Sequence, residues 1–383
     1  MRTQILFSAL ANTALAARPF LNEPDTGFDD ALSNLTAGSL PNVEQMVSLP
    51  DFDAVARKYL PIRNYTYYRN GAAGEWSYRN NLEVFRRYRL RPRVLRDISN
   101  IESTLPTKIL GHNFSAPFYI SPCARGELGH PEAELNFVKA AAEENILYMP
   151  ALYASKTIDE IAAAKSSDQV LFQQLYLSSN DTENQALLDA TKKANAAAVV
   201  FTVDSAADGN RHRAARFDVG SADSDYSSFT WDFYKKLKTM TDLPIILKGI
   251  MTVEDARIAV QNNVSGIILS NHGGRQLDGA PSSLEVALEI NQQDPSIFSE
   301  TEVFADGGVR YGADVLMLLS LGVKAVGLGR PFMYANIFGK PGVKRAISLL
   351  KREIALDAGN LGVADLQQLT NNIVDWTPNN WVG

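Results

Sequence analysis

Cysteine occurs once in 383 residues, as Cys123. That excludes an intrachain disulfide and any zinc or iron–sulfur centre built on several thiolates. Histidine is nearly as scarce, at four (His112, His130, His212 and His272), so no histidine-rich metal site is expected and the chemistry should be organic. Strong charge bias is missing too: 37 basic against 43 acidic residues leave a net −6. No basic run suggests nucleic acid or an anionic membrane as partner, and no apolar run approaches the roughly 20 residues that cross a bilayer. What is present is ordinary for a globular chain. With 45% hydrophobic and 21% charged residues, a sizeable core can form and wholesale disorder is excluded. The length suits one large α/β domain with an appendage.

The N-terminus is set apart. Arg2 precedes the apolar run Ile5–Leu10, and Thr13–Ala17 leads into Arg18-Pro19. A basic start, a short apolar run and small residues at an A-x-A position read as a secretory signal peptide over residues 1–17; the plainer alternative is an N-terminal helix. Five N-x-S/T sequons, at Asn34, Asn64, Asn113, Asn180 and Asn263, agree with a secreted glycoprotein. Residues 18–44, rich in Pro, Asp, Asn and Ser, read as a linker, and 45–375 as the catalytic domain.

From residue 117 onward, short apolar runs alternate with helical patterns. Strands are expected at Pro117–Ala124, Leu147–Ala154, Val170–Leu177, Ala198–Asp204, Pro244–Ile250, Gly266–Gly273, Glu302–Val309 and Ala325–Phe332. Most are continuous β-branched or aromatic runs, as when both faces of a parallel sheet are buried. Amphipathic helices fit Pro131–Asn145, Thr182–Asn195, Val253–Asn262 and Tyr311–Leu321. Thr252 opens a capping box and Gly322 stands where a helix should stop. Eight β-α units make the fold class α/β, a TIM (β/α)8 barrel with an N-terminal helical extension. A doubly wound sheet is the weaker alternative, because no G-x-G-x-x-G follows the first strand. Residues 45–116 read as helices, beginning at Asp51–Tyr59, with short pairing strands near Val94–Ile98, and should cap the bottom or side of the barrel.

In such a barrel, function gathers where the strands end, and there the apolar runs are broken by polar residues: Gln174 and Tyr176 after the third strand, Thr202, Asp204 and Arg211 after the fourth, Lys248 after the fifth, Asn271–Arg275 after the sixth. Asp306-Gly307-Gly308-Val309-Arg310 follows the seventh strand and Gly327-Leu328-Gly329-Arg330 the eighth. Glycines let backbone N–H groups approach an anion, and arginines clamp phosphate through forked donors, so a phosphorylated cofactor or substrate is expected there. His272 is a candidate general base, oriented by Asp204, and Arg275 can pair with a carboxylate.

Ser270-Asn271-His272-Gly273-Gly274-Arg275-Gln276-Leu277-Asp278 resembles the signature of the FMN-dependent L-2-hydroxy-acid oxidases and dehydrogenases. Phe172–Tyr176, Phe201–Asp204, Leu247-Lys248-Gly249, Asp306–Arg310, Gly129–Glu132 and Tyr67–Ala72 resemble further motifs of that family in the same order. The likeness runs from about residue 45 to 370. It implies oxidation of an L-2-hydroxy acid to the 2-oxo acid with FMN as cofactor. By the resemblance, His272 takes the substrate proton, oriented by Asp204; Arg275, Tyr67 and Arg211 hold the carboxylate; Tyr176 contacts the hydroxyl. Lys248 faces the flavin N1/O2 edge, Gln174 and Thr202 bond the pyrimidine edge, and backbone from Pro122 to Ala124 packs near the ring. Asp306, Gly308, Arg310, Gly329 and Arg330 hold ribityl and phosphate. The partners implied are a small 2-hydroxy acid and dioxygen or another electron acceptor, with a homo-oligomer open. Absence of a haem domain favours dioxygen. An FMN barrel isomerase is the competing class.

Departures from the family pattern cluster around the substrate's side chain: Cys123 and Arg125 beside Pro122 and Ala124, Ala151-Leu152-Tyr153 after the second strand, and a short segment, Phe217–Ser228, after the fourth. They predict a wider mouth and a substrate larger than glycolate.

Overall fold

The computed structural model describes residues 26–32, 35–220 and 226–378. A short strand β1 (Arg89–Leu90) and a hairpin, β2 (Thr107–Ile109) and β3 (His112–Phe114), precede eight parallel strands. These are β4 (Phe118–Ile120), β5 (Leu147–Tyr148), β6 (Phe172–Leu175), β7 (Ala198–Thr202), β8 (Ile245–Ile250), β9 (Gly266–Leu269), β10 (Glu302–Asp306) and β11 (Ala325–Leu328). Their spatial order is β5-β4-β11-β10-β9-β8-β7-β6, and a parallel bridge between Tyr148 and Leu171 joins the two ends. The sheet therefore closes into the expected (β/α)8 barrel. A last strand, β12 (Val374–Asp375), returns antiparallel to β1.

Alternation along the strands sorts two cores. Tyr119, Leu147, Phe172, Ile246, Ile268 and Phe304 fill the barrel, while neighbours such as Phe118, Val199 and Leu247 pack outward. With both faces buried, most strand positions are apolar, which is why the sequence shows runs rather than alternation. The helices fall at Glu134–Glu144, Asp181–Lys193, Val253–Gln261 and Gly312–Ser320, close to expectation. Thr252 Oγ1 accepts the Asp255 N–H at 3.1 Å as a cap. Gly322 ends the last of these helices at φ +111°, a conformation that costs glycine least.

Two expectations are corrected. Val94–Ile98 is not a strand: Val94 and Leu95 stand in solvent. Pro92 removes a ladder donor, and Leu95 has left-handed backbone at φ +57°. The pairing strand is Arg89–Leu90 instead. Nor does the extension as a whole cap the bottom. Only the hairpin does, placing Ile109 and Phe114 in the inner core while the Leu110 N–H donates to Glu302 Oε2 at 2.9 Å. The helices Ile62–Arg69 and Trp76–Glu83 lie at the opposite end, across the mouth. They carry buried Thr66, Ser77, Asn80 and Asn81. Buried polar groups need partners: the loop after β9 bonds Ser77 and Asn81, and Glu285 and Arg87 bond Asn80.

Candidate active site

Apart from β8, which ends at Ile250 as expected, the strand ends at the mouth turn away from the sheet earlier than the apolar runs suggest. β9 stops at Leu269 because His272, Gly273 and Gly274 take φ of +58°, +65° and +74°, which no ladder accommodates. That turn swings the His272 imidazole back over the barrel, where its Nδ1 lies 2.8 Å from Asp204 Oδ1. Burial pushes the imidazole pKa down to about 4, the Asp204 charge opposing and Arg275 and Lys248 assisting. Burial alone would raise the Asp204 carboxyl, but His272 and Lys248 hold it below the ordinary range. The pair is thus a neutral imidazole beside an ionised carboxylate. Nδ1–H then donates to Asp204, and Nε2 is the free basic nitrogen.

Ser270, quoted in the signature but given no role by sequence reasoning, is the hub beneath this pair. Its Oγ donates to Asp306 Oδ1 at 2.5 Å, accepts from Lys248 Nζ at 2.9 Å and accepts the His272 N–H at 3.1 Å. Lys248 Nζ is 3.7 Å from Asp306 Oδ2. Burial works against the ammonium, yet the Asp306 and Asp204 charges outweigh it and raise its pKa. Lys248 is therefore a fixed cation at the barrel axis.

Arg211 and Arg275 come together on the other side of His272. Arg211 donates from Nε to the Arg275 carbonyl at 3.0 Å and from Nη2 to Gln276 Oε1 at 2.6 Å. Arg275 donates from Nε to the His272 carbonyl at 3.1 Å. Burial and the neighbouring Arg275 pull Arg211 down to about 10. Among the described residues neither guanidinium forms a salt bridge with a carboxylate. Tyr67 and Tyr176 complete this side, their phenols raised by burial and so held as donors. Tyr153 stacks on Tyr176 at 5.4 Å between ring centroids. Arg125 lies 5.3 Å from the Tyr67 ring centroid.

Two cavities meet at this point. One runs from Lys248 and His272 past Pro122 and Ala124 to Gly308, Arg310, Gly329 and Arg330. The other contains Gln174, Thr202, Tyr176 and Arg211, and the two share Tyr67, Lys248, His272 and Arg275. Gln174 Nε2 donates to Thr202 Oγ1 at 2.9 Å, and its Oε1 accepts the Leu152 N–H at 3.1 Å. The residues singled out from sequence thus converge on one mouth, with Asp204 behind His272 rather than in the wall. Arg330 is heavily engaged: it donates to the carbonyls of Tyr68, Asn70 and Gly273 at 2.7, 2.7 and 3.0 Å, tying the extension to the mouth. Arg310 donates through Nη1 to the Val309 carbonyl at 2.9 Å.

Asn81 was missed by the sequence reading. Its side-chain amide and that of Asn271 exchange two hydrogen bonds of 2.8 Å, and its backbone carbonyl lies where a Cβ at Gly308 would fall. It joins the sixth and seventh loops, a role that a polar residue in a helix does not announce.

The cavity suits a flavin mononucleotide on its own chemistry. Its wall includes Ser121, whose buried Oγ has no hydrogen-bond partner among the described residues. One end carries glycine backbone and arginine donors for a phosphate; the other carries Lys248. No group of His, Cys, Asp and Glu suited to a metal occurs among the described residues.

An oxidoreductase of the phosphate-binding barrel class is what this arrangement defines. The model of the FMN-dependent dehydrogenase family matches residues 56–227 and 220–376, and the chain belongs to that family, with FMN as its cofactor. A peroxisomal (S)-2-hydroxyacid oxidase of Arabidopsis thaliana is 36% identical, over 87% of this chain and 97% of that protein. The cytochrome-type L-lactate dehydrogenase of Wickerhamomyces anomalus is 34% identical over 88% of this chain. This chain spans only 62% of that dehydrogenase's length. The flavin-binding domain of baker's yeast flavocytochrome b2 superposes with a TM-score of 0.84 at 34% identity, covering 93% of this chain and 92% of that one. The protein is an FMN-dependent 2-hydroxy-acid oxidase or dehydrogenase.

Secretion is corrected by the same comparison: the relative matched over nearly its whole length is named as peroxisomal. Basic start, short apolar run and alanines form a weak pattern that a leader shares with an ordinary helix, and residues 1–25 lie outside the described part. Two sequon asparagines also have structural duties. Asn64 Nδ2 donates to the Leu128 carbonyl at 3.0 Å, and Asn180 Oδ1 accepts the Thr182 N–H at 3.0 Å. No helix among the described residues is long and apolar enough to cross a membrane.

Proposed function

We propose that residues 45–375 form one catalytic domain that oxidises an L-2-hydroxy acid, with dioxygen as acceptor and hydrogen peroxide as product. The observation that carries the reading is a neutral, Asp204-oriented His272 facing a cavity whose two arginines form no salt bridge with a carboxylate among the described residues. The paired guanidiniums suit a substrate carboxylate, which Arg275 and Arg211 hold with Tyr67. Tyr176 donates to the substrate hydroxyl, and Nε2 of His272 takes the substrate proton. Asp204 stabilises the imidazolium that results. Pro122, Ala124, Gln174, Thr202 and Lys248 hold the ring of FMN, while Asp306, Gly308, Arg310, Gly329 and Arg330 hold its chain and phosphate. FMN, when bound, accepts the two electrons of the oxidation. Dioxygen is favoured because the relative matched over 97% of its length is named an oxidase.

Anaerobic mixing with an L-2-hydroxy acid should bleach the bound flavin, and aerobic turnover should yield one hydrogen peroxide per 2-oxo acid. Flavin that stays yellow under a panel of such acids overturns the reading. Oxo acid formed only with an added electron acceptor overturns the choice of dioxygen.

The pH profile follows from burial. His272 acts as a base only when unprotonated, and its pKa is depressed to about 4. The acid limb of kcat/KM should therefore fall as pH drops through about 4, rather than near the 6.5 of a free imidazole. A limb centred above pH 6 contradicts this.

A further inference from the structure

Beyond Tyr153 and Tyr176 lies a third cavity, of about 540 Å³, within the roughly 300–1,000 Å³ of ordinary ligand pockets. It shares Tyr153, Tyr176, Thr202 and Ser205 with the cavity that holds Arg211, Arg275 and His272. The two are therefore adjoining rooms, with the stacked tyrosines as the door post. It lies between the ends of β7 and β8 and the helix Trp231–Met240, with residues 205–206 and 226–230 along its wall.

Its walls have a definite chemistry. Phe201, Phe229, Trp231 and Tyr234 form an aromatic side, with Phe201 and Phe229 5.7 Å apart and Trp231 and Tyr234 edge-on at 5.9 Å. Such rings favour another ring in stacked or edge-on contact. Asp255, exposed at the rim, is the one charged residue among the lining side chains. Among the described residues no cationic side chain lines the cavity, Lys238 lying 5.9 Å from the Tyr234 ring centroid but outside the lining, so a second carboxylate would be desolvated there without a direct partner. The Tyr234 hydroxyl and the Trp231 indole N–H make no hydrogen bond among the described residues. Burial raises the Tyr234 phenol to about 12, so it remains a donor. Ser179 and Ser228, from the loops after β6 and β7, add exposed hydroxyls.

We infer that this third cavity is a subsite for the far end of the substrate, taking an uncharged aromatic ring, best when hydroxylated, set off from C2 by a short linker. The inference rests on the proposed function: the carboxylate sits on Arg211 and Arg275, C2 faces His272, and the linker passes the Tyr153–Tyr176 pair. Aryllactates fit this description; glycolate and lactate do not reach the cavity, and malate brings a charge it cannot match.

Flavin reduction of the holoenzyme measured with L-lactate, L-phenyllactate, L-4-hydroxyphenyllactate and L-malate tests it. The aryllactates should exceed lactate in kcat/KM by tenfold or more, with malate lowest. Ser179→Trp and Ser228→Trp, which fill the cavity from two different loops, should each cut the aryllactate-to-lactate ratio at least tenfold, chiefly through KM. Binding of 3-(4-hydroxyphenyl)propionate, which lacks the oxidisable hydroxyl, should quench tryptophan fluorescence in the parent and lose that quenching in Trp231→Phe. Lactate bleaching the flavin while leading the aryllactates, or ratios unchanged in both tryptophan variants, overturns the subsite alone. No bleaching by any of the four acids overturns the function and the subsite with it.

Discussion

His272→Gln should leave the protein yellow with FMN and slow its reduction by a 2-hydroxy acid by about 10²–10⁴, the usual contribution of a positioned general base. The separation of the two outcomes comes from geometry. The phosphate end of the cavity, at Gly308, Arg310 and Gly329, does not depend on the imidazole. Glutamine also preserves the backbone contact in which the His272 N–H donates to Ser270. What it removes is Nε2, a basic nitrogen kept unprotonated by burial and aimed by Asp204 2.8 Å away. Asp204→Asn should slow reduction less, because the imidazole stays in place while losing its orienting charge. Flavin content by absorbance and single-turnover reduction by stopped flow separate these effects. Near-normal reduction in His272→Gln would show that the proton leaves by another route.

How much of this was legible beforehand varies by element. The eight strands and the barrel could be read because each strand is buried on both faces and therefore spells out a mostly apolar run. The polar residues that break those runs, from Gln174 to Arg330, could be read for the same reason: a charge in such a run has no structural excuse. The extension was harder. Trp76–Glu83 reads as a polar surface helix, yet Ser77, Asn80 and Asn81 are buried, the loop after β9 supplying partners to Ser77 and Asn81 and the Glu285 and Arg87 side chains those of Asn80. Only three-dimensional proximity reveals that, as it alone reveals the Asn81–Asn271 pair. Ser270 was hidden by commonness; one hydroxyl in a β-strand run carries no signal until three partners surround it. The annex behind Tyr176 was visible only as a short segment after the fourth strand, Phe217–Ser228, of which residues 221–225 lie outside the described part. A shortened segment hints at room but says nothing of the aromatic lining, which comes largely from β7 and the residues 229–234 that lead into and open the next helix.

Lys248→Met should destabilise the protein by about 3–5 kcal/mol, the cost of removing one partner of a buried ion pair, and should also weaken flavin retention. Lys248 is 5% exposed, and its ammonium faces Ser270 and Asp306, with the Asp204 charge also near enough to raise its pKa. Without that cation, Asp306 keeps only the Ser270 hydroxyl at Oδ1, and the Asp204 carboxylate loses one of the charges holding it ionised. Methionine fills most of the volume, so a cavity does not explain the loss; charge does. The double variant Lys248→Met/Asp306→Asn distinguishes the two. Neutralising the stranded carboxylate should recover part of the stability lost by the single change, giving a coupling energy of at least about 1 kcal/mol. Urea unfolding of the parent, both single variants and the double variant in flavin-saturated buffer measures it. If the double variant is as unstable as the sum of the singles, Lys248 acts through packing rather than as the counter-ion of the barrel axis.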